Sequence, residues 1–407
     1  MTRAALAVLA SSVALAGLGA PSAAAAPGLN ARSAALIEES TGQRLFGRAP
    51  DARVPIASTT KLMTALLTLE HVRQLSATFT QNRYYSAPGD SQIGLVPGER
   101  MSVHDLLLAL LLPSADDAAE DLAFHVGHGS LGRFIGMMNA RARQLGLTRT
   151  HYSTPIGLDT PANYSSASDL TKLASFVLTH SRFFARAVAL PRAVLRTGSH
   201  TRVVANRNDL LRSVPWINGV KTGHTRDAGY VLVGSGTRDG MTLISAVLGT
   251  SGPSSRDANT LALLGYGFRT FHLVTPVRAG EVLARPTVRD RPGVHATVIA
   301  ASAFTDVLAR SSRVGLRVQV PHQLAGPLKR HAVVGSVTIF AGPRKIARIP
   351  LLLARALPAV SPLTLAAHFL TRGSTLLFLV VLLALAAMAY AWRGTRREKH
   401  PAGPEAA

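Results

Sequence analysis

The chain has 407 residues, with 44 Lys and Arg against 22 Asp and Glu, and no cysteine. Disulfides, thiolate nucleophiles and cysteine-based metal sites are excluded, while the length allows two domains with proper cores. A net charge of +22 with 47% hydrophobic residues points to an exported body with membrane-directed ends. Its natural partners are anionic wall polymers or lipid headgroups rather than nucleic acid.

Residues 1–26 open with one cation, Arg3, and run through small apolar residues to Ala24-Ala25-Ala26, the pattern of a cleaved signal peptide. Two short strands are predicted around Ser40-Thr41-Gly42, then a long helix from Ser58 to about Val72 with Leu62, Leu66 and Leu69 on one face. A Gly/Pro/Ser-rich loop (86–98) leads to an apolar helix, 103–112. Helices continue from Ala118 to Leu145, broken at Gly127-His128-Gly129, and another starts in 165–180, where Ser168 or Asp169 is the expected cap. Three β-rich stretches follow at 217–223, 229–236 and 241–250, closed by a helix, 254–271. This pattern predicts a mixed α/β domain over residues 27–273. Alternating apolar residues in 314–320 and 333–340 predict a small antiparallel β domain over 274–357. A stalk (358–373) leads to the charge-free stretch 374–392, long enough to cross a bilayer. Arg393, Arg396, Arg397 and Lys399 follow in the tail 393–407. The positive-inside rule puts that tail in the cytoplasm and the body outside the cell membrane, on a single pass.

Only six cations are lysine, so lysine positions merit a separate look: an amine can be tuned into a base, a guanidinium cannot. Lys61 ends Ser58-Thr59-Thr60-Lys61. The i, i+3 spacing brings hydroxyl and amine within reach, at a helix N-terminus suited to an oxyanion. Serine becomes a nucleophile once a neighbour takes its proton. Lys221-Thr222-Gly223 lies on a predicted strand, where the glycine permits close approach and the ammonium and hydroxyl suit a carboxylate. His125 and His128 lack an acidic partner at ligand spacing and are expected at the surface, as is Arg256. No metal or cofactor is expected.

Ser58-x-x-Lys61, then Ser114-Ala115-Asp116, then Lys221-Thr222-Gly223, in that order and with flanking segments such as "YSTPIGLD", resemble the low-molecular-mass penicillin-binding D-alanyl-D-alanine carboxypeptidases. The resemblance covers residues 30–273 well and 274–357 more loosely. It implies the penicillin-binding/β-lactamase-like transpeptidase fold, followed in this chain by the small all-β domain and by a full transmembrane helix where many family members hold on by a C-terminal amphipathic helix. It also implies a serine peptidase acting on peptidoglycan stem peptides that end in D-Ala-D-Ala. Ser58 would attack with Lys61 as base, and Ser114 would relay protons. Lys221 and Thr222, with Gly223, would hold the terminal carboxylate, and the N–H groups of Ser58 and His224 would form the oxyanion hole. β-Lactams would acylate the same serine. The family's second motif has Asn where this chain has Asp116. An ionised aspartate accepts hydrogen bonds but cannot donate one to a substrate carbonyl, and it favours a charged Lys61. The alternative reading is therefore a catalytically impaired, membrane-tethered wall-binding protein of the same fold. A class A β-lactamase is disfavoured, because no Glu lies between Ala123 and Lys221.

Overall fold

The computed structural model describes residues 25–82, 90–289, 291–361 and 373–397. Nearly all of the expected leader, most of the stalk and most of the basic tail lie outside the described residues. The chain forms two compact units: residues up to Val274 with Asp306–Ser311, and Thr275–Thr305 with the chain from Ser312 onward.

In the first unit, β1 (Ser33–Glu38) and β2 (Arg44–Arg48) form a hairpin, and three further strands return late in the chain: β3 (Ile217–Thr225), β4 (Gly229–Arg238) and β5 (Met241–Thr250). The sheet order is β2-β1-β5-β4-β3, with every pair antiparallel. β1 is buried on both faces, as its apolar sequence SAALI requires of a strand covered on either side. One face carries α8 (Pro253–Thr270), whose Leu263, Leu264 and Phe268 pack with Leu36, Leu232, Leu243 and Val247. The larger core gathers α1 (Lys61–His71), α2 (Val103–Leu111), α3 (Asp116–Val126), α4 (Leu131–Gln144), α5 (Ala167–His180) and α6 (Arg182–Val188). A short α7 (Leu210–Ser213) precedes β3. α2 and α3 are Leu- and Ala-rich because they are enclosed: Leu106, Leu107, Leu110, Ala118, Ala119 and Leu122 have no solvent exposure. The chain between the hairpin and β3 is thus a helical layer inserted into the sheet's sequence, and its inner end meets β3 at the site.

Local details refine the sequence reading. α5 is capped by Ser166, which accepts the Asp169 amide (3.1 Å), rather than by Ser168 or Asp169. Ser166 is three residues upstream of Asp169, where a capping side chain can reach the N3 amide. Arg256 is buried, not exposed: its guanidinium pairs with Asp257 at 2.8 Å inside the first turn of α8. His125 is half-buried, stacked on Phe79 with its Nε2 2.8 Å from the Thr80 carbonyl.

The second unit holds an antiparallel five-stranded sheet made of β6 (Val282–Ala284), β7 (Val298–Ala300), β8 (Val314–Gln319), β9 (Val333–Ala341) and β10 (Arg344–Leu353), in the order β6-β7-β10-β9-β8. Val337, Ile339, Ile349, Leu351 and Val298 form its core. The C-terminal helix α9 (Gly373–Arg397) contains, among the described residues, one stretch long and apolar enough to cross a membrane. That stretch is Gly373–Arg393, 21 residues with a mean hydropathy of 2.3.

Candidate active site

The site starts from a turn that holds Ser58 at the base of α1. Residues Ala57–Thr60 form one 3-10 turn that runs directly into α1 at Lys61. Ala57 adopts φ +47°, a left-handed conformation uncommon for a residue with a Cβ. Two glycines make room for this turn. A Cβ on Gly157, itself at φ +102°, would sit 2.1 Å from the Ala57 carbonyl oxygen. A Cβ on Gly223 would sit 2.9 Å from the Ser58 nitrogen and 3.0 Å from the Ala57 Cβ. The glycine of Lys221-Thr222-Gly223 is therefore required by the approach of the serine turn, before any ligand is considered.

Lys61 Nζ lies 3.0 Å from Ser58 Oγ, 2.6 Å from Asp116 Oδ1 and 2.8 Å from the Ile156 carbonyl. The lysine has no exposed surface. Its helix is held in place by Thr64, which donates to the Pro155 carbonyl at 2.6 Å, and by Asn163, which donates to Thr60 at 3.2 Å. The turn 155–159 also reaches β3: Asp159 accepts from Thr225 Oγ1 (2.6 Å) and the Asp227 amide (3.0 Å). One loop thus fixes the serine turn, the lysine and the end of the β3 strand together.

Burial pushes the Lys61 amine below its usual range, and Arg207 acts in the same direction; the nearby carboxylates of Asp116 and Asp90 oppose without prevailing. The net direction is down even with an acid in contact, a balance that the sequence could not decide. Lys221, also buried, is pushed down further, first by burial and then by the charges of Lys61 and Arg207. Its amine donates to the Thr222 carbonyl at 3.0 Å. Arg207, whose amide donates to the Leu112 carbonyl at 3.2 Å, was not singled out from the sequence. It is one of many arginines, and no local motif marks it.

Ser114 joins α2 to α3 at φ +69°, with its hydroxyl buried and, among the described residues, without a hydrogen-bond partner. A buried unsatisfied hydroxyl is costly, and such strained, unsatisfied groups concentrate where ligands are met. Asp116 begins α3 and uses both its oxygens: Oδ1 on Lys61, and Oδ2 on the Ser91 amide at 3.0 Å. The Asp116 amide in turn donates to the Ser91 carbonyl at 2.6 Å. Asp117 accepts from the amides of Ile93 (3.2 Å) and Leu95 (3.0 Å), and Asp121 from the amide of Asn82 (3.2 Å). Both Asp117 and Asp121 are raised by burial, Asp121 to about 6, despite those bonds. Adjacent acids behind an apolar helix thus have a physical account: they bind the backbone of the chain that lies over α3. Arg202 completes the clamp by donating to the Ile93 and Gly94 carbonyls and pairing with Glu99 at 2.7 Å.

Of the predicted site residues, Ser58, Lys61 and Asp116 are in direct contact. Gly223 packs on the serine turn, and Lys221 on the same strand is buried with its amine on the Thr222 carbonyl. His224 is exposed and stacks on Tyr230 with ring centres 4.0 Å apart. Among the described residues no group of His, Asp and Glu is arranged to hold a metal ion.

A buried amine against a serine hydroxyl, under an antiparallel sheet with a helical insert, is the arrangement that a serine hydrolase would use. The comparisons with known proteins make this specific. Residues 20–252 match the peptidase S11 family, described as D-alanyl-D-alanine carboxypeptidase. The chain is 32% identical over 341 residues to the D-alanyl-D-alanine carboxypeptidase DacC of Escherichia coli, covering 80% of this chain and 84% of that one. It is 38% identical over 249 residues to the D-alanyl-D-alanine carboxypeptidase of Streptomyces sp. K15, covering 57% of this chain and 85% of that one. Among solved structures, penicillin-binding protein 5 of Haemophilus influenzae matches with a TM-score of 0.67 at 26% identity, covering 82% of this chain and 99% of that one. The Streptomyces K15 DD-transpeptidase matches with a TM-score of 0.57 at 36% identity, covering 60% and 99%. The chain belongs to the S11 family of D-alanyl-D-alanine carboxypeptidases, and is a serine peptidase.

Proposed function

We propose that the protein removes the terminal D-alanine from peptidoglycan stem peptides ending in D-Ala-D-Ala, through an acyl-serine intermediate. The observation that carries this reading is the buried Lys61 amine 3.0 Å from Ser58 Oγ, its pKa lowered by burial toward the range of a base. A neutral amine takes the hydroxyl proton as Oγ bonds to the carbonyl carbon of the penultimate D-Ala. The amides of Ser58 and His224 stabilise the oxyanion. Ser114, whose hydroxyl has no partner among the described residues, relays the proton from the Lys61 ammonium to the departing amine, which leaves Lys61 neutral again. Water then attacks the acyl-enzyme with Lys61 again as base.

Lys221 and Thr222 receive the substrate's terminal carboxylate. Lys61 and Lys221 are buried, and the exposed Arg207 lowers both amines in the same direction, so an entering anion offsets the gathered positive charge and favours the protonated form of Lys221. Penicillins, which carry a carboxylate beside a reactive amide, fit the same arrangement. C-terminal helix α9 serves as a single-pass anchor in the cell membrane, with both units on the extracytoplasmic side and the basic tail in the cytoplasm. Relatives of this chain carry both carboxypeptidase and transpeptidase names, so water and an amine both deserve trial as acyl acceptors.

A second reading has one observation in its favour. The 2.6 Å contact of Asp116 with Lys61 occupies the base, as an impaired, wall-binding relative would. The two readings separate in one experiment on the full chain in detergent, using a D-Ala-D-Ala-ended peptide and a fluorescent penicillin. D-Alanine release and labelling, both lost in Ser58→Ala by at least about a thousandfold, are the expected result. No release and no labelling in the wild type, with both restored by Asp116→Asn, would overturn the active reading.

A further inference from the structure

From Val307 to Arg397 the chain contains no Asp or Glu, although acids are spread throughout the first unit. Within this acid-free run the β8-β9-β10 side of the second sheet presents Arg313, Arg317, Arg344, Lys345 and Arg348, all exposed. The register makes them a surface rather than a scatter. Arg317 and Arg348 stand opposite Thr338 from the strands on either side, so the three share one sheet face. Lys345 stands opposite Phe340, the next residue on that face, and the Arg317 guanidinium lies 5.3 Å from the Phe340 ring centre. Arg348 also donates to Ser336 at 3.0 Å. At the hairpin tip the Gly342 amide donates to the Arg313 carbonyl at 2.8 Å, which brings Arg313 beside Arg344.

β8 is an edge strand, exposed along its whole length. Val314, Leu316 and Val318, on its other face, are 38%, 44% and 39% exposed. A single edge cation guards a sheet against pairing with another chain. Five cations over three strands, with an aromatic ring among them and an apolar fringe alongside, suit a different environment. Basic residues beside exposed apolar ones are the composition of surfaces that rest in the headgroup layer of an anionic bilayer.

We infer that the β8 edge of this sheet docks on anionic phospholipid headgroups, with Arg317, Lys345 and Arg348 over the phosphates on one face of the edge and Val314, Leu316 and Val318 reaching the apolar boundary from the other. Residues 362–372 join the unit to the apolar helix α9, a connection of at most about 40 Å. A bilayer holding α9 is therefore within reach. The apolar fringe favours a lipid surface over a soluble polyphosphate, which offers no apolar phase. The inference is independent of the catalytic reading, and neither falls with the other.

The absence of cysteine permits a direct test. A fluorophore attached at Leu316→Cys is the chain's one thiol label, and lipid-borne nitroxide quenches it on contact with the bilayer. The full-length protein is reconstituted in vesicles of phosphatidylcholine alone, or of phosphatidylcholine mixed with phosphatidylglycerol. Quenching is expected to be at least about threefold stronger in the anionic vesicles and to fade at high salt, over a Debye length that shrinks to about 3 Å at 1 M. Each of Arg317→Gln, Lys345→Gln and Arg348→Gln should weaken the contact about fivefold. Amide hydrogen exchange of the unsubstituted chain gives a second measure, with slower exchange in 314–319 on anionic vesicles. Equal quenching and equal exchange on both vesicle types would overturn the inference. Protection by an added glycerol-phosphate polymer on neutral vesicles, with none from anionic lipid, would also overturn it and assign the face to wall polymer.

Discussion

The two units treat charge in opposite ways. In the first, most buried charged groups sit against partners: Lys61 against Asp116, Arg202 against Glu99 and Arg256 against Asp257, while Asp105 accepts from the amides of Arg196 and Thr197 and from the Thr197 hydroxyl, and Lys221 donates to the Thr222 carbonyl. In the second, exposed cations accumulate along a stretch without acids. Buried charge must be matched or it destabilises the fold, whereas exposed charge contributes little to folding and much to association. A residue's charge therefore has a different meaning in each unit, and four variants can break or sharpen that contrast.

The largest effect is expected at the Glu99–Arg202 pair, both partners of which are almost wholly buried. Arg202→Met leaves the carboxylate alone in the interior and should cost about 3–5 kcal/mol, measured by denaturant unfolding. The same pair sets an acid limit. Burial alone would raise Glu99, but the bonds from Arg202, Ser199 and Val96 more than reverse this and hold it at about 2. A depressed pKa gives stability that is complete above the unfolded value of about 4.3 and is lost as pH falls toward 2. Thermal melts should decline through that window in the wild type. An Arg202→Met melt with the same decline would remove the pair from the account.

Next comes Gly223→Ala. A methyl group 2.9 Å from the Ser58 nitrogen must displace the nucleophile's turn, and misplacement of this kind costs on the order of 100-fold in rate. Penicillin acylation kinetics would measure it, and an unchanged rate would mean that the turn moves without consequence. Asp116→Asn is smaller and has a definite sign. Asp116 opposes the lowering of the Lys61 pKa, so its removal lowers that pKa further. The acid limb of kcat/KM should then move to lower pH. A limb that moves upward would show that Asp116 does more than hold charge on the lysine. The smallest effect belongs to the second unit: Arg344→Gln with Lys345→Gln should leave unfolding within about 0.5 kcal/mol of wild type. A large loss there would mean that those cations support the fold.

Much of this was legible in the sequence. The hairpin, α1 to α5, the three late strands and α8 follow from hydrophobic period and turn residues, and Ser58 and Lys61 were brought out by spacing and by the scarcity of lysine. What escaped reading depended on contacts distant in sequence. Arg207 and Asp90 act on Lys61 through space, and no local pattern connects them. Gly223 looked like a ligand-approach glycine because its true neighbour, Ala57, lies far away in the sequence. Arg256 was expected at the surface because its partner, Asp257, is adjacent in sequence and the burial of both comes from α8 packing on the sheet. The Ser166 cap was missed through competition among several nearby serines, a choice that only backbone geometry decides.

The double contact of Asp116 with Ser91 has a consequence beyond chemistry. Because the Ser91 N–H bonds to the carboxylate oxygen opposite the one on Lys61, its amide proton senses the charge state of the catalytic pair from one bond away. In an NMR spectrum of isotope-labelled protein, the Ser91 resonance would act as an internal indicator. It should shift as Lys61 titrates and again when a β-lactam acylates Ser58, giving a spectroscopic readout of the site that needs neither turnover nor an added probe.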